Sequence, residues 1–278
     1  MEKQPLVSII AAAYNEEKYI SKLIDSLINQ NYPNWELIIV DDNSKDRTYE
    51  VIQELAKKDN RIKVYQQVKG IKGPGNAWNL AVIKSKGKIL FFEGADTMLG
   101  KEYINDMIKP ILEKKTIGTL HKQEKIANKQ NLWARSFGER NAVVDEENKG
   151  VIFGAILREY YNKAGGFDPK LGFADDQTLY QKLKIKSLGV DAEIYHHNPE
   201  SFKEIWRHDK WVGASSTKPW APIVIFPVFS LWVIYKSIKQ FRKDPNFNFI
   251  WFLPVYNTIK YFGYLSGAVK KIITKKIY

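Results

Sequence analysis

Three groups of carboxylates stand at places in the sequence where acidic side chains can do chemistry. They are Asp41-Asp42 after the apolar run 35–40, Asp96 after the apolar run 88–92, and Asp175-Asp176 at the opening of a helical stretch. A carboxylate in such a place can accept N–H groups of a ligand, hold a hard divalent cation, or take a proton from a hydroxyl. Acids at a helix start are also stabilised by the helix dipole or act as simple caps. Spacing alone leaves both interpretations open.

The elements that would position these acids alternate between strand and helix patterns. Continuous apolar runs of strand length predict strands, and apolar residues at helical spacing predict helices. The predicted strands are 6–13, 35–40, 61–66 and 88–92, and the predicted helices between them are 16–31, 49–56 and 76–84. Repeated β-α units predict an α/β fold with a mostly parallel sheet covered by helices, in which ligands bind at the carboxyl ends of the strands.

The pattern changes along the rest of the chain. Ser44 is predicted to be the N-cap of the helix over 49–56. The later predicted strands are 116–121 and 151–157, and the later predicted helices are 175–187 and 199–212. Because no linker interrupts this part, we predict one domain over 1–215. A second region, 216–278, is apolar and basic, and it is predicted to be helical.

Composition limits the classes of protein that fit. The chain has 278 residues, 44% of them hydrophobic, which is enough for a large folded domain. It contains no cysteine, which excludes disulfides, thiolate metal sites and a cysteine nucleophile. The net charge of +12 is spread along the chain without a nucleic-acid-binding motif, so we predict no nucleic-acid partner. Residues 1–5 lack the features of a signal peptide, so we expect a cytoplasmic catalytic part.

Two uncharged apolar runs dominate the C-terminal region. They cover 219–235 and 246–259, and basic clusters follow at 236–243 and 270–276. A helix needs roughly 20 apolar residues to cross a bilayer, and both runs are short and contain proline. Basic groups beside aromatic-rich apolar runs suit an anionic membrane surface, so we favour interfacial helices at the cytoplasmic face of the cell membrane. Two membrane spans and a buried helical layer are the alternatives.

Five motifs follow one another along the chain. They are VSIIAAAYNE at 7–16, ELIIVDDNS at 36–44, GKILFFEGAD at 87–96, GGFD at 165–168 and ADD at 174–176. Together they resemble the inverting family 2 glycosyltransferases with the GT-A fold, over roughly residues 5–215. Each motif alone is weak, but their order argues against a chance match.

The resemblance implies a nucleotide-diphosphate sugar as the donor substrate. Asp42, the second acid of its pair, would accept N–H groups of a uracil or guanine base. Ala12, Tyr14 and Glu16 would border the same pocket at the end of the first strand. For Tyr14 and Glu16, the alternatives are an ordinary packed aromatic and a helix-start acid. The glycine-rich stretch 70–76 would let the backbone approach the nucleotide, with Lys72 near its phosphates.

The resemblance also implies a divalent cation, Mn²⁺ or Mg²⁺, that neutralises the leaving diphosphate. The family normally offers Asp-x-Asp, but the first position here is Gly94. We expect Asp96 to contact the metal, and Glu93 is a less favoured substitute for the missing acid because alternate strand residues face opposite ways. His197 is favoured over His196 as a histidine near the metal or diphosphate. A loop-capping aspartate and a satisfied polar histidine pair are the alternatives.

Asp176 matches the catalytic base of the family, and Asp175 is expected to support or orient it in the substrate site. The predicted function is inverting transfer of a hexose from a UDP- or GDP-sugar to a lipid-linked or glycan acceptor. Because Gly94 interrupts the metal motif, the alternative is a nucleotide-sugar-binding protein with little transfer activity. A dinucleotide-dependent oxidoreductase shares the β-α alternation, but the first strand lacks its glycine fingerprint.

Overall fold

The structure is a computed structural model that describes residues 4–71, 73–216, 218–222 and 228–274, except for the side chains of 172–175. Its strands are β1 Val7–Ala13, β2 Trp35–Asp41, β3 Ile62–Gln66, β4 Ile89–Gly94, β5 Thr97–Leu99, β6 Gly118–His121, β7 Gln123–Ile126, β8 Arg140–Asn141, β9 Lys149–Gly150, β10 Ala155–Leu157, β11 Ser187–Val190 and β12 Ile194–His196. Its helices are α1 Ile20–Ile28, α2 Thr48–Ala56, α3 Pro74–Lys84, α4 Tyr103–Leu112, α5 Leu132–Phe137, α6 Arg158–Ala164, α7 Thr178–Leu183, α8 Phe202–Ser215, α9 Phe229–Lys243 and α10 Phe249–Thr274. A 3-10 helix, Pro169–Gln177, precedes α7. The chain divides into two compact units, one of residues 1–127 and 139–197 and one of residues 128–138 and 198–278.

The first unit is built on an eight-stranded sheet with the order β3-β2-β1-β4-β10-β6-β11-β9. The strands β3, β2, β1 and β4 are parallel neighbours, whereas β10 runs antiparallel to β4 and β6. A smaller four-stranded sheet has the order β5-β12-β7-β8. Ala12 of β1 pairs with both Val40 of β2 and Gly94 of β4, so these three strands end at one carboxyl edge.

Helices cover both faces of the larger sheet. One face packs against α1, α2 and α4, in a core that contains Leu23 and Tyr103. The other face packs against α3, α6 and α7, in a core that contains Ala81 and Leu179. Every residue of β2 is buried, because a strand covered on both faces needs side chains that tolerate burial in both directions. The predicted α/β fold with a mostly parallel sheet flanked by helices is therefore confirmed.

The first helix begins later than the sequence pattern indicates, at Ile20 rather than residue 16. Asn15, in the loop before it, has a left-handed backbone with a φ of 59°. The N–H groups of Asn15 and Glu16 donate to Oγ of Ser44 at 3.0 Å and to Oγ1 of Thr48 at 2.7 Å. The prediction of Ser44 as the N-cap of α2 is wrong, because α2 begins at Thr48 and the Ser44 hydroxyl serves the β1–α1 loop.

The stretch 175–187, predicted as one helix, is divided among three elements. The 3-10 helix ends at Gln177, α7 follows, and Ser187 already belongs to β11. Helix α7 ends where Lys184 adopts a left-handed backbone with a φ of 57°. Strand β11 then pairs in parallel with β6, and this long-range pairing overrides the local helical pattern.

The second unit is helical and contains α5, α8, α9 and α10. Glycines line the contact between α8 and α10. A Cβ at Gly213 would lie 2.0 Å from the carbonyl oxygen of Tyr264, and one at Gly267 would lie 1.9 Å from that of Lys210. Helix α8 thus belongs with the C-terminal helices, and the sheet-containing unit ends at residue 197, whereas the sequence prediction extends the first domain to 215. Within the described residues, no helix combines the length and the apolar character that a bilayer crossing demands.

Gly267→Ala is expected to destabilise the second unit, because the added methyl group meets the backbone of α8 rather than a movable side chain. Helices forced apart at a packed contact lose about 1–3 kcal/mol of unfolding free energy. Urea unfolding followed by circular dichroism measures this loss. Ser266→Ala, at a half-buried position of α10, is the matched control. Equal urea midpoints for Gly267→Ala and Ser266→Ala would contradict the close approach of α8 and α10.

Candidate functional site

The loops after β1 and β2 hold one another at the carboxyl edge of the sheet. Oδ1 of Asn15 accepts from the N–H of Lys45 at 2.8 Å, and the Glu17 carboxylate accepts from the N–H of Arg47 at 2.9 Å. Asn43 has a left-handed backbone with a φ of 62°, a conformation that asparagine tolerates better than most residues. Bonds between the loops therefore organise the edge at which ligands bind in open α/β sheets.

The two neighbouring acids at the end of β2 have different surroundings. Asp41 is fully buried, and its carboxylate accepts from the N–H of Ser44 at 3.2 Å. The N–H of Asp42 donates to the carbonyl oxygen of Ala13 at 2.8 Å, and its Oδ2 accepts from the N–H of Gly73 at 2.7 Å. Asp41 therefore shapes the loop, whereas Asp42 connects the end of β2 to the residue before α3.

The other residues predicted to contact the donor lie close in sequence to these loops. Tyr14 is 44% exposed just beyond the end of β1, and Glu16 is half-buried in the β1–α1 loop. Lys72 lies outside the described residues, and so does the side chain of Asp175. The structure brings four of the predicted residues to one edge: Ala12, Tyr14, Glu16 and Asp42.

Asp96 lies in the turn between β4 and β5. A Cβ at Gly94 would lie 2.6 Å from Oδ1 of Asp96, so the glycine leaves room for that carboxylate. Oδ2 of Asp96 is 3.1 Å from Nε2 of His196, whose side chain is buried. Burial alone would raise the pKa of Asp96, but the charge and hydrogen bond of His196, with the charge of Arg140, lower it well below its ordinary range. Asp96 is therefore ionised at neutral pH.

The two adjacent histidines reach Asp96 by different routes. His196 closes β12 opposite Thr97, and its imidazole contacts the Asp96 carboxylate. His197 donates its N–H to the carbonyl oxygen of Asp96 at 2.9 Å, and its ring stacks on that of Tyr19 with centroids 4.6 Å apart. The sequence pattern favours His197, whereas the imidazole that contacts the Asp96 carboxylate is that of His196. The pairing of β12 with β5 creates that contact, and no local pattern predicts it.

A hard divalent cation at this turn would meet one carboxylate and one or two imidazoles. In the part of the chain that the structure describes, no group of three His, Cys, Asp or Glu side chains could hold a metal. Mg²⁺ in enzymes is commonly bound by one or two carboxylates together with substrate phosphates and water. The donor set of Asp96 with His196 or His197 therefore fits a cation whose remaining ligands come from a diphosphate.

A buried polar chain that the sequence pattern does not predict begins at Glu93. Its carboxylate accepts from the hydroxyl of Tyr103 at 2.7 Å, and that hydroxyl is 2.9 Å from Nδ1 of His121. Nε2 of His121 is 2.9 Å from Oε1 of Glu124. Burial raises the pKa of Glu93 to about 7. Burial alone would lower the pKa of His121, but its hydrogen bond with Glu124 and the charges of Glu93 and Glu124 raise that pKa overall. Glu93 therefore contacts α4 and does not replace the acid missing at Gly94.

Glu93→Gln is expected to gain stability relative to the parent chain as the pH rises from about 5 to 8. The folded pKa of Glu93 is raised, so its contribution is present at low pH and is lost as the pH passes through about 7. Glutamine keeps an acceptor for Tyr103 and never ionises. Urea unfolding across this pH range should show a relative gain of about 1–3 kcal/mol. The exposed Glu54→Gln is the control, and a Glu93→Gln curve parallel to the parent curve would disprove the shift.

Asp176 lies near the end of the 3-10 helix that precedes α7. Its Oδ1 is buried and has no hydrogen-bond partner among the described residues. Burial raises its pKa to about 6, against opposing hydrogen bonds from the backbone of Gln177 and of Asp176 itself. A carboxyl group with an unused acceptor atom and a pKa near neutrality suits proton transfer.

Helix α3 connects the end of β2 with the turn that precedes Asp176. Oδ1 of Asn79 accepts from the N–H of Phe167 at 2.9 Å, and its Nδ2 donates to the carbonyl oxygen of Phe167 at 3.0 Å. The ring centroid of Trp78 lies 5.0 Å from that of Phe167. The turn is therefore bound to the same helix whose preceding residue contacts Asp42. The sequence pattern does not predict this role of Asn79.

A protein-family model described as "Glycosyl transferase family 2" matches residues 8–173. The chain belongs to this family. The beta-monoglucosyldiacylglycerol synthase of Trichormus variabilis is 34% identical over 206 residues, which are 69% of this chain and 44% of that protein. The poly(ribitol-phosphate) beta-N-acetylglucosaminyltransferase TarS of Staphylococcus aureus is 36% identical over 225 residues, which are 72% of this chain and 39% of that protein. The family predicted from the five motifs is confirmed, and the chain spans less than half the length of these relatives.

Solved structures of sugar transferases share the fold. The mannosyltransferase PcManGT of Pyrobaculum calidifontis, in complex with GDP-Man and Mn²⁺, has a TM-score of 0.59 at 19% identity over 99% of this chain and 89% of that chain. Residues 1–349 of S. aureus TarS, in complex with UDP-GlcNAc, have a TM-score of 0.56 at 16% identity over 97% of this chain and 92% of that chain. At these identities the likeness concerns the fold alone, and it confirms the predicted GT-A fold.

Proposed function

We propose that the chain catalyses inverting transfer of a hexose from a UDP- or GDP-sugar to a lipid-linked or glycan acceptor. The observation that carries this proposal is the buried Oδ1 of Asp176, which has no hydrogen-bond partner among the described residues. The pKa of Asp176, raised to about 6, suits a base at neutral pH. Family membership supports the reaction class. The ionised Asp96 beside His196 supports a site that binds a charged group.

The proposed donor site lies at the common edge of β2, β1 and β4. Asp42 would accept the N–H groups of the nucleobase, and Ala12 would leave space there because its side chain is small. Tyr14 and Glu16 would border the pocket, and Lys72 would lie near the phosphates. UDP-GlcNAc in TarS and GDP-Man in PcManGT support keeping both nucleotide classes in the proposal.

We further propose that Mn²⁺ or Mg²⁺ binds at Asp96, with His197 or His196 as the neighbouring nitrogen ligand. When bound, the cation would supply positive charge that stabilises the leaving diphosphate. The Mn²⁺ in the PcManGT structure supports this proposal. The lowered pKa of Asp96 keeps a negatively charged ligand available at neutral pH.

The proposed chemistry assigns the proton transfer to Asp176. The acceptor hydroxyl oxygen forms a bond to the anomeric carbon as the bond from that carbon to the diphosphate oxygen breaks. The hydroxyl proton passes to Oδ1 of Asp176, and the nucleoside diphosphate departs with the bonding electrons. In-line attack opposite the leaving group inverts the anomeric centre, and Asp175 would orient the base.

The proposed acceptor is linked to a lipid at the cytoplasmic face of the cell membrane, and a glycan acceptor is the alternative. One relative is named for a monoglucosyldiacylglycerol product, and another for poly(ribitol-phosphate). Because the chain spans less than half the length of these relatives, their acceptors support the proposal only as examples of acceptor chemistry.

The residue Gly94 favours a second candidate, a protein that binds the nucleotide sugar but transfers little. It removes the first acid of the metal motif, and no three-ligand group occurs among the described residues. Nucleotide release from a panel of UDP- and GDP-sugars, with native lipid extract as acceptor, separates the two functions. Donor binding without release would favour the second candidate.

Asp176→Asn is expected to lower kcat by about 10²–10⁴-fold, because asparagine cannot take the hydroxyl proton. Affinity for UDP or GDP, measured by calorimetry, should stay nearly unchanged. In the parent chain, kcat should fall as the pH drops through about 6, where Asp176 becomes protonated. Asp168→Asn is the matched control, because the Asp168 carboxylate accepts from the N–H of Lys170 within the preceding turn. Normal turnover by Asp176→Asn would remove this residue from the role of base.

Asp96→Asn is expected to raise the Mn²⁺ concentration needed for half-maximal nucleotide release by at least about tenfold, because the amide loses the negative charge that attracts the cation. EDTA should abolish release by the parent chain, and added Mn²⁺ should restore it. Asp25→Asn, at an exposed position of α1, is the control and should respond to Mn²⁺ like the parent. Equal release by the parent chain in EDTA and in Mn²⁺ would refute metal dependence.

A further inference from the structure

Helix α10 carries a row of exposed apolar side chains. This row, the α10 stripe, consists of Trp251, Val255, Phe262, Val269 and Ile273. Spacings of four and seven residues place all five on one side of a helix of 26 residues, over a length of about 33 Å. Trp251 is 78% exposed and Ile273 is 76% exposed. The other side of the helix packs against α8 through Gly263 and Gly267, so the stripe faces away from that contact.

Helix α9 carries a second row of the same kind. This row, the α9 stripe, consists of Leu231, Ile234, Tyr235 and Ile238. Leu231 is 67% exposed and Tyr235 is 60% exposed, whereas Val233 and Ser237 on the opposite side are buried. Nδ2 of Asn257 on α10 donates to Oγ of Ser237 at 3.2 Å, which shows that α9 packs through this opposite side. Both stripes are therefore exposed rows on packed helices, and within the α10 stripe the Phe262 ring also contacts Phe229 of α9, with centroids 5.3 Å apart.

Basic side chains accompany the two stripes. The exposed ones on these helices are Lys239, Arg242, Lys243 and Lys270. Asp244 is the one acidic residue in 210–278, and its carboxylate is paired with Arg135 at 2.5 Å. The charge around the stripes is therefore strongly positive, and it is complementary to an anionic surface.

We propose that the α9 and α10 stripes form a surface that docks in the plane of an anionic lipid bilayer. Apolar side chains would enter the boundary between headgroups and acyl chains, while lysine and arginine would reach the headgroup phosphates. A second copy of the chain is a poorer occupant, because a symmetric contact would bring these basic clusters together. The surface is inferred from the helices alone and goes beyond the transfer reaction.

The absence of cysteine from the sequence allows a site-resolved test on the full chain. The variants Trp251→Cys and Leu231→Cys are each labelled with one environment-sensitive fluorophore at the single thiol. On vesicles of phosphatidylcholine with phosphatidylglycerol, both labels should shift to the blue and gain at least about twofold in intensity, since they leave water. Phosphatidylcholine vesicles alone should give a smaller change, and raised salt should weaken the anionic response. Ile83→Cys is the control, because Ile83 is 77% exposed on α3 of the first unit, and its label should not respond.

Vesicle flotation measures how far charged substitutions in the two stripes weaken binding to anionic vesicles. Trp251→Glu combined with Leu231→Glu should weaken binding to the anionic vesicles by at least about tenfold, because charged groups resist entry into the bilayer. The matched variant, Ile83→Glu, should bind like the parent chain. Circular dichroism confirms folding of each variant, and calorimetry with UDP and GDP separates this surface from the donor site.

Two results would overturn the proposal. The first is that labels at 251 and 231 do not respond to anionic vesicles. The second is that they respond to protein concentration without lipid while light scattering shows a larger particle, which would make the stripes an interface between copies.

Discussion

The common ending of β2, β1 and β4 is the constraint on which the arrangement of the acids depends. Parallel pairing places Val40, Ala12 and Gly94 side by side, so the residues that follow β2 and β4 emerge at the same edge. Because side chains alternate along a strand, a shift of one residue would turn the acids to the other face. Hydrogen bonds between the β1–α1 and β2–α2 loops then hold this edge in place.

The sequence predicts the β-α units and the family because both depend on local patterns. The contacts that it does not predict join distant residues. The late start of α1 and the wrong N-cap have one cause, the bond between Asn15 and Ser44 of neighbouring loops. Contact of His196 with Asp96 requires β12 to pair with β5, and Glu93 bonds to Tyr103 across the space between β4 and α4. An acid inside an apolar strand, as Glu93 is, indicates a buried polar partner, but the sequence does not identify that partner as Tyr103.

The C-terminal helices illustrate a different limit. A run without charge is compatible with burial, with a membrane span or with a place at a surface, and its length does not decide among them. The arrangement of small residues adds the missing information. Gly213, Gly263 and Gly267 let α8 and α10 approach closely, so the bulky residues of α10 at Trp251 and Ile273 lie on its outer side. The spacing of glycines and bulky apolar residues along α10 therefore places close packing on one side of this helix and an apolar row on the other.

Gly94 also determines how closely the Asp96 carboxylate can approach the end of β4. Any side chain at that position, an aspartate included, would place a Cβ 2.6 Å from Oδ1 of Asp96. Turning the Asp96 carboxylate aside would disturb its contact with His196. The glycine therefore lets one oxygen of Asp96 lie against the backbone of β4 while the other stays in contact with His196.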